Sequence, residues 1–435
     1  MTSKTQAQDR LRTEMLASEA AVPTSGLGRL WQTGRSALGI GSLLAKARRG
    51  DDLDLEAVQA IVQRLAGLKG VGMKLGQMLG YVDQSVPEEL RGLFSLLQTS
   101  APGTGFDAVT AVLREALGER AEVLIAGLER TPVAVASIGQ VHRARLPDGA
   151  AVAVKVRHPG VEQALVADFR TASVGKMFAA IAGAASITGM IEEARTAFLE
   201  ECDFPLEARR QRHFARLFAD DPVIIVPSVA TEWSAEGVLV TRWTPGRSLD
   251  EFLASGPDQR RRDLVGAALF RFWMRTLYRD GLFHGDPHPG NFAIQDDDRV
   301  IIYDFGCVRS FEPALRRGFA GLAAATRDDD PEAIVAAITA LGGMAPRDPK
   351  SRAHLRELLR SFFGPLLTPG ARRIASDEGL GARNLLRDKR AIIGLQLPAR
   401  LLFLFRLRFG LYAVLSRLQA EVDWAGLESQ WARES

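Results

Sequence analysis

Two short segments around residue 290 constrain this chain more than any other feature. Residues 284–291 read His-Gly-Asp-Pro-His-Pro-Gly-Asn, and an Asp-Phe-Gly triplet at 304–306 follows after the run 299–303. That run is β-branched and aromatic, which is typical of a buried strand. The sequence therefore predicts a turn that carries Asp286 and Asn291, followed by a strand that ends at an aspartate.

The side chains in these segments are the types that phosphoryl transfer requires. Asp286 can accept the proton of an attacking hydroxyl, and Asn291 and Asp304 can each bring an oxygen to Mg²⁺. Mg²⁺ is a hard cation that prefers oxygen ligands held at fixed positions. Each motif is a weak signal by itself, but their order and spacing together predict a catalytic loop followed by a metal-binding loop.

The composition is that of a globular protein. The chain has 435 residues, 46% of them hydrophobic and 25% charged, which suffices for two or three domain-sized units. A net charge of +3 is small for this length and does not indicate nucleic-acid binding. The two cysteines, Cys202 and Cys307, do not predict a disulfide framework and fit a reducing compartment.

The start of the chain shows no signal peptide, and no apolar stretch is long enough to cross a membrane. We therefore expect a cytoplasmic protein that is peripheral at a membrane at most. The basic segment 27–49 interleaves apolar residues, and two interpretations of it stay open: an amphipathic helix on a membrane surface, or a helix packed on the body. The sequence predicts further helices at 53–81 and Phe106–Leu117.

Lys155 lies inside a predicted strand, 151–156, that follows a hairpin turn at 147–149. A lysine within a strand is costly unless its ammonium has a partner, and nucleotide phosphates are a natural one. Upstream, 133–144 reads as strand, small-residue loop and strand. The loop residues Ala134, Val135, Ala136 and Ser137 permit close approach but restrict positive φ, which predicts altered handling of phosphates.

An acidic cluster at 201–207 contains Glu201, Asp203 and Glu207. A solvated helix end is the usual fate of such a cluster. Lys155, however, needs an acidic partner on a helix between it and the catalytic loop. The cluster is the best-placed source of that partner. After Ser248 the sequence predicts a mostly helical chain to the end, apart from 292–304.

Taken together, these residues resemble the UbiB/AarF atypical protein-kinase-like family, over about residues 22–424. The family's mitochondrial members support coenzyme Q biosynthesis. Five blocks in order carry the resemblance: Lys74-Leu75-Gly76-Gln77, Ala134 to His142, Val152 to Lys155 with Arg157 to Gly160, Glu201 to Glu207, and Asp286 to Gly306.

The resemblance implies an α+β, bilobal protein-kinase-like fold with a small β-rich N-lobe, a helical C-lobe and a helical N-terminal extension. It divides the chain into a disordered start, the extension, the N-lobe with a helical insert, and the C-lobe, at 1–26, 27–128, 129–243 and 244–435.

Roles follow from the resemblance residue by residue. Lys155 is similar to the nucleotide-binding lysine and Glu207 to the helix glutamate that pairs with it. Asp286 matches the catalytic aspartate, and Asn291 and Asp304 match the Mg²⁺ ligands.

The resemblance also implies a gate and an adenine site. Lys74 and Gln77 look like the KxGQ residues of the extension, which folds over the active site, and Glu201 and Asp203 look like the ExD pair, with Glu201 expected to bridge to Lys74. The loop 134–137 lies beside the nucleotide, and Ala136 matches an alanine that disfavours ordinary protein-kinase behaviour. The inter-lobe linker at Thr241 and Trp243 is where backbone groups normally grip adenine.

The implied activity is binding and hydrolysis of ATP, with ADP as a further ligand and Mg²⁺ as cofactor, coupled to a lipid or quinone precursor rather than to protein phosphorylation in trans. Quinone-pathway enzymes are the implied partners. The chain departs from the family at Val135, where alanine is frequent, and at Arg242, where an acidic residue is common. It also lacks the C-terminal transmembrane helices of some bacterial members.

Two alternatives stay open. A small-molecule phosphotransferase of the aminoglycoside or choline type also uses a His-Gly-Asp…Asn loop, but such enzymes have no reason to carry the 74–77 and 201–203 blocks. A non-catalytic, nucleotide-gated scaffold is the other alternative, and the intact Asp286 argues against it.

Overall fold

The computed structural model of the protein describes residues 103–136, 138–169, 187–374 and 399–432. Several predictions lie outside these ranges: the disordered start, the basic segment 27–49, the helix at 53–81, the Lys74 and Gln77 pair, and Ser137.

The described helices are α1 (Phe106–Leu117), α2 (Ala121–Ala126), α3 (Val161–Phe169), α4 (Ile187–Cys202), α5 (Phe204–Leu217), α6 (Leu249–Ala254), α7 (Gln259–Tyr278), α8 (Pro313–Arg327), α9 (Pro331–Ala340), α10 (Pro349–Phe363), α11 (Ala399–Leu418) and α12 (Trp424–Ala432). The described strands are β1 (Ala134–Val135), β2 (Gly139–Arg145), β3 (Ala151–Arg157), β4 (Ile224–Ile225), β5 (Val238–Arg242), β6 (Leu282–His284), β7 (Phe292–Ile294), β8 (Val300–Ile302), β9 (Val308–Ser310), β10 (Arg372–Arg373) and β11 (Glu421–Val422).

The described chain forms two compact units, which confirms the predicted α+β, kinase-like class. The first contains the described residues up to Ala208 together with Val229–Trp243, and the second contains Arg209–Ser228 and the described residues from Thr244 onwards. The sequence analysis placed 209–228 with the first unit. In the structure this segment joins the second unit because β4 pairs in parallel with β8 and Phe214 lies in the core beside Phe272.

An antiparallel sheet in the order β1-β2-β3-β5 forms the body of the first unit. Helix α1 has the predicted bounds and buries Val109, Leu113 and Leu117, which are spaced four apart and share one face. These residues belong to the same core as the buried valines of β3 and β5. Successive side chains of a strand point to opposite faces, so the other face of β3 presents Lys155 and Arg157.

Helices dominate the second unit. Helix α7 begins at an aspartate cap, since the Asp258 carboxylate accepts the N–H of Arg261 at 2.9 Å. Most of its residues from Val265 to Tyr278 are buried, as expected for a helix that is surrounded by core on several sides. Around it lie the sheet β4-β8-β7 and the pairs β6-β9 and β10-β11.

The described part of the chain after Ser248 is mostly helical, as predicted, and the short strands β6, β9, β10 and β11 are additions that the sequence did not predict. The apolar run 223–227 forms only the two-residue strand β4. None of the helices that the structure describes is long and apolar enough to cross a membrane. Cys202 and Cys307 are both buried thiols rather than halves of a disulfide.

Candidate active site

The segment that carries Asp286 is fixed by the pairing of β6 with β9. Leu282 pairs with Ser310 and His284 with Val308, and the N–H of Gly285 donates to the carbonyl of Cys307 at 2.7 Å. A Cβ at position 285 would lie 2.8 Å from the Cys307 Sγ, so this approach requires glycine. The sequence His-Gly-Asp therefore runs directly alongside the residues that follow Asp304.

Strands β7 and β8 bring Asn291 and Asp304 to the same end of an antiparallel pair. Phe292 pairs with Ile302, and the Asn291 carbonyl accepts the N–H of Tyr303 at 3.0 Å. Asn291 closes a 3₁₀ turn, Pro289–Asn291, just before β7, while Asp304 follows β8. The turn and strand that the sequence predicts at these positions are thus present.

The amide of Asn291 orients Asp286. Its Nδ2 donates to the Asp286 Oδ2 at 2.8 Å and to the Asp286 carbonyl at 3.1 Å. An amide that donates through its nitrogen keeps its oxygen for another partner. Asp304 accepts the Gly306 N–H on its Oδ1 at 2.9 Å, which fixes the direction of that carboxylate.

These residues suit a magnesium ion that is shared with phosphate. Mg²⁺ is usually held by one or two carboxylates together with substrate phosphates, and Asn291 and Asp304 offer one amide oxygen and one carboxylate. Within the ranges that the structure describes, no group of three or more His, Cys, Asp or Glu side chains could hold a metal by itself. The donor set therefore fits a nucleotide-bound Mg²⁺ better than an ion held by protein alone.

His284 links Asp286 and Asp304 through the core. Its Nε2 donates to the carbonyl of Asp304, so its Nδ1 is the acceptor that faces the N–H of Asp286 at a long 3.4 Å. The ring is 1% exposed, and this burial lowers its pKa, partly opposed by Asp304. Three buried rings surround it: Phe272, Trp273 and Phe305.

The sequence analysis assigned no role to His284. The available signal was a histidine at the end of a short apolar run, two residues before a candidate base. Its partner is a main-chain carbonyl twenty residues away, which no residue type identifies.

In the first unit, Lys155 forms an ion pair with Glu207. The Nζ lies 2.8 and 2.9 Å from the two carboxylate oxygens, and the side chains are 14% and 1% exposed. Glu207 lies in the first turn of α5, where a negative charge is favourable. The face of Phe204 lies 5.1 Å from the ammonium. The structure thus brings together the lysine and the carboxylate that the sequence analysis paired.

The residues of the ExD block lie at the junction of α4 and α5. Asp203 caps α5, since its Oδ1 accepts the Leu206 N–H at 2.8 Å. Glu201 is 8% exposed, so it is not the solvated carboxylate that an isolated acidic cluster would give. The bridge expected from Glu201 to Lys74 lies outside the described residues.

The predicted nucleotide-binding residues lie along the sheet of the first unit. Ala134 and Val135 pair with β2, so the turn proper begins at Ala136. Thr241 pairs with β3, and the N–H of Trp243 donates to the Ala151 carbonyl at 2.9 Å. Because this N–H already serves the sheet, it cannot also donate to an adenine ring.

The comparisons with known proteins agree with this geometry. A family model described as the ABC1 atypical kinase-like domain matches residues 96–338. The chain is 30% identical over 334 residues to the atypical kinase COQ8B, mitochondrial, of Rattus norvegicus, covering 73% of this chain and 63% of that protein. It is 28% identical over 311 residues to the atypical kinase COQ8, mitochondrial, of Saccharomyces cerevisiae, covering 67% and 61%. The chain thus spans less than two thirds of either relative.

A solved structure is also similar. The complex of Rv3197 with erythromycin, from Mycobacterium tuberculosis, superimposes with a TM-score of 0.61 and 30% sequence identity, covering 86% of this chain and 95% of that one. The similarity therefore extends well beyond the segment that the family model matches.

Proposed function

Because this chain belongs to the ABC1 atypical kinase-like family, we propose that it binds ATP or ADP with Mg²⁺ and catalyses phosphoryl transfer or ATP hydrolysis. The observation that carries the proposal is the orientation of Asp286. Its carboxylate accepts the Asn291 amide at 2.8 Å in a loop that is fastened to the Asp304 segment by His284.

In this proposal Asp286 accepts the proton of the attacking hydroxyl or water, and Lys155 binds nucleotide phosphates while Glu207 holds its ammonium. Asn291 and Asp304 hold the metal. When bound, Mg²⁺ would neutralise negative charge on the phosphate oxygens. The turn 134–137 and the linker at Thr241 and Trp243 flank the nucleotide.

We further propose a water molecule or a small buried acceptor, a lipid or a quinone precursor, in preference to a protein substrate. The turn at Ala136 supports this, since alanine restricts the φ angles that a glycine-rich loop uses. The curated relatives are named COQ8 kinases, which supports a role in coenzyme Q metabolism alongside quinone-pathway enzymes. In the same proposal, 27–128 is a gating extension whose Lys74 and Gln77 meet the ExD junction. The two compact units are the lobes expected at 129–243 and 244–435, with 209–228 belonging to the second.

We also propose that the protein is cytoplasmic and that segment 27–49 contacts a membrane surface. Two of the relatives are named as mitochondrial COQ8 kinases. The compartment of this protein should therefore be determined by direct localisation. A fluorescent fusion and binding to vesicles of anionic and of neutral lipid, with and without 27–49, test both points.

Thermal shift and ATPase assays on matched variants test the central proposal. We expect Mg²⁺ with ADP to raise the melting temperature of the wild type and of Asp286→Asn, but not of Asp304→Asn. ATP turnover should be lost in both variants. Asp348→Asn is the control, because this carboxylate caps α10 at the surface and asparagine caps helices about as well.

Three outcomes would contradict the proposal in different ways. If neither nucleotide raises the melting temperature and Asp304→Asn changes nothing, nucleotide binding is refuted. Nucleotide binding without hydrolysis, even with lipids and phenol-like ligands present, would favour the scaffold. Turnover of choline or an aminoglycoside would favour the small-molecule phosphotransferase.

A further inference from the structure

The turn between β1 and β2 is closed by a hydrogen bond between Ala136 and Gly139, and Gly139 lies directly against β3. The N–H of Ala136 donates to the Gly139 carbonyl at 2.8 Å, and a Cβ at Gly139 would lie 2.5 Å from the Val156 carbonyl oxygen. Ala136 is not among the described non-glycine residues with positive φ. Its backbone therefore does not use the left-handed region that glycine allows, and the contacts of its carbonyl oxygen help to fix the direction of the turn.

His158, which follows β3, holds both ends of this turn. Its main-chain N–H donates to the Ile138 carbonyl at 2.8 Å, and its Nε2 lies 3.1 Å from the Ala136 carbonyl oxygen. The residue is 5% exposed. Because a carbonyl oxygen only accepts, Nε2 must carry the proton.

The other ring nitrogen connects the turn to the start of the described chain. With Nε2 protonated, the Nδ1 of the neutral ring accepts the hydroxyl of Thr104 at 2.6 Å. Thr104 is itself held through both main-chain groups by the Gln140 side chain, at 2.6 and 3.0 Å. Gln140 is 1% exposed, so the side chain that holds Thr104 is itself shielded from water.

Arg157, the residue before His158, contacts the junction of α4 and α5, close in sequence to Glu207. The Arg157 guanidinium donates to the Cys202 carbonyl at 2.8 Å, between the ExD residues and immediately before the cap of α5. The end of β3 is thus fastened both to the turn and to the helix junction that carries the partner of Lys155.

We propose that His158 is a positioning residue that sets the conformation of the turn at Ala136 through its Nε2–H, and through it the affinity for nucleotide. The inference rests on the proposed nucleotide binding, in which this turn flanks the nucleotide. As a positioning residue of this turn, His158 should affect the affinity for nucleotide more than the rate of the chemical step.

Two substitutions test the contacts of the two ring nitrogens separately. In His158→Gln the side-chain amide can reach the position of Nε2 and donate to Ala136, whereas in His158→Asn the shorter amide reaches only the position of Nδ1 beside Thr104. We expect His158→Asn to raise the Kd for Mg²⁺-ADP about tenfold, equivalent to about 1.4 kcal/mol, with kcat for ATP changed less than about twofold. His158→Gln should restore the Kd to within about threefold of the wild type.

Ser234→Ala is the matched control. The Ser234 hydroxyl binds the Ala230 carbonyl at 2.9 Å and accepts the Val240 N–H at 3.0 Å. The control thus loses a side-chain contact to another loop of the same unit and should leave the Kd unchanged. If it raises the Kd as much as His158→Asn does, general loosening of the unit explains the effect and the proposal is overturned.

Amide hydrogen exchange without nucleotide tests the turn independently of function. We expect faster exchange of the Ala136 N–H in His158→Asn, restored in His158→Gln and unaffected in Ser234→Ala. Unchanged exchange would overturn the role of His158 whatever nucleotide does. If the turn responds as expected but the wild type shows no affinity for nucleotide, the proposed function fails and with it the effect of His158 on binding.

Discussion

The link made by His284 permits a strong prediction, because one side chain connects the two loops of the candidate site. His284→Phe keeps an aromatic ring among Phe272, Trp273 and Phe305 and removes both nitrogens. The carbonyl of Asp304 then loses its side-chain donor in the core. Removing one partner of a buried hydrogen bond costs about 2 kcal/mol of the free energy of unfolding, while the long contact to Asp286 adds little.

The loss of activity should be larger than the loss of stability suggests. Asp286, the candidate base, and Asp304, a candidate metal ligand, are then no longer held by the same side chain. A displacement of about 1 Å between such groups can cost about 100-fold in rate. We therefore expect kcat for ATP to fall about 100-fold. Thr276→Val is the stability control, because the buried Thr276 hydroxyl bonds to the Phe272 carbonyl at 2.9 Å away from both loops.

The pH dependence of stability gives a second readout. Burial lowers the pKa of folded His284 below 6.5, so the folded state favours the neutral ring. Its contribution is fully present above pH 6.5 and is lost as the pH falls through the folded pKa, because the unfolded chain then binds a proton that the folded chain does not. His284→Phe should remove this acid-side slope in urea titrations. An unchanged slope, or a kcat equal to that of Thr276→Val, would refute the reasoning.

Two further predictions concern local hydrogen bonds. Tyr303→Phe should lower the free energy of unfolding by about 1 kcal/mol, since the Tyr303 hydroxyl donates to the Thr244 carbonyl at 2.9 Å. Burial raises the Tyr303 pKa from its usual value of 10.0 to about 12. The contribution of this hydrogen bond is therefore present below pH 10 and is lost as the pH rises to about 12, as ultraviolet titration and denaturation would show. Asp203→Ala should cost about 1 kcal/mol through the lost cap of α5. Asp203→Asn should restore stability, and if it also restores ATP turnover, the charge of Asp203 has no gating role.

The parts of the fold that the sequence predicted are those with a clear period or turn. Helix α1 was predicted with its observed bounds because its apolar residues recur on one face. Strands β2 and β3 were predicted because a hairpin turn separates two β-rich runs. The three-residue strands β6 and β9 were missed, since so short a run has no measurable period.

The candidate site shows the same division. Asp286, Asn291, Asp304 and Lys155 could be named because each carries a chemical type that the reaction demands, and Glu207 was named through the family resemblance. The contact of His284 with the main chain of Asp304 could not be named, because a main-chain partner leaves no mark on the sequence.

The polar residues of β2 show why buried networks escape a sequence pattern. Gln140 and His142 alternate like a solvated face, yet they are 1% and 0% exposed. Their partners are main-chain groups of Thr104 and Glu129. A periodicity argument assigns such residues to the wrong environment, because it assumes that polar side chains seek water rather than each other.

Each unit contains a buried ion pair, and the two should respond alike in stability but differently in function. Lys155 and Glu207 are 2.8 Å apart, as are Arg408 and Glu428, whose side chains are 1% and 7% exposed. Tyr278 also donates to Glu428. Removing one member of either pair leaves a buried charge and should cost about 3–5 kcal/mol, whereas apolar replacement of the whole set is often neutral.

We therefore expect Lys155→Met with Glu207→Leu to restore most of the unfolding free energy that either single change removes, but not the affinity for Mg²⁺-ADP. Arg408→Met combined with Glu428→Leu and Tyr278→Phe should restore most of the free energy of unfolding and should bind Mg²⁺-ADP like the wild type. Urea denaturation and nucleotide titration of the five single variants and the two combined variants measure the difference. A Lys155 and Glu207 double variant that binds nucleotide like the wild type would show that this pair serves stability alone, because no cation would then remain at position 155 to meet a phosphate.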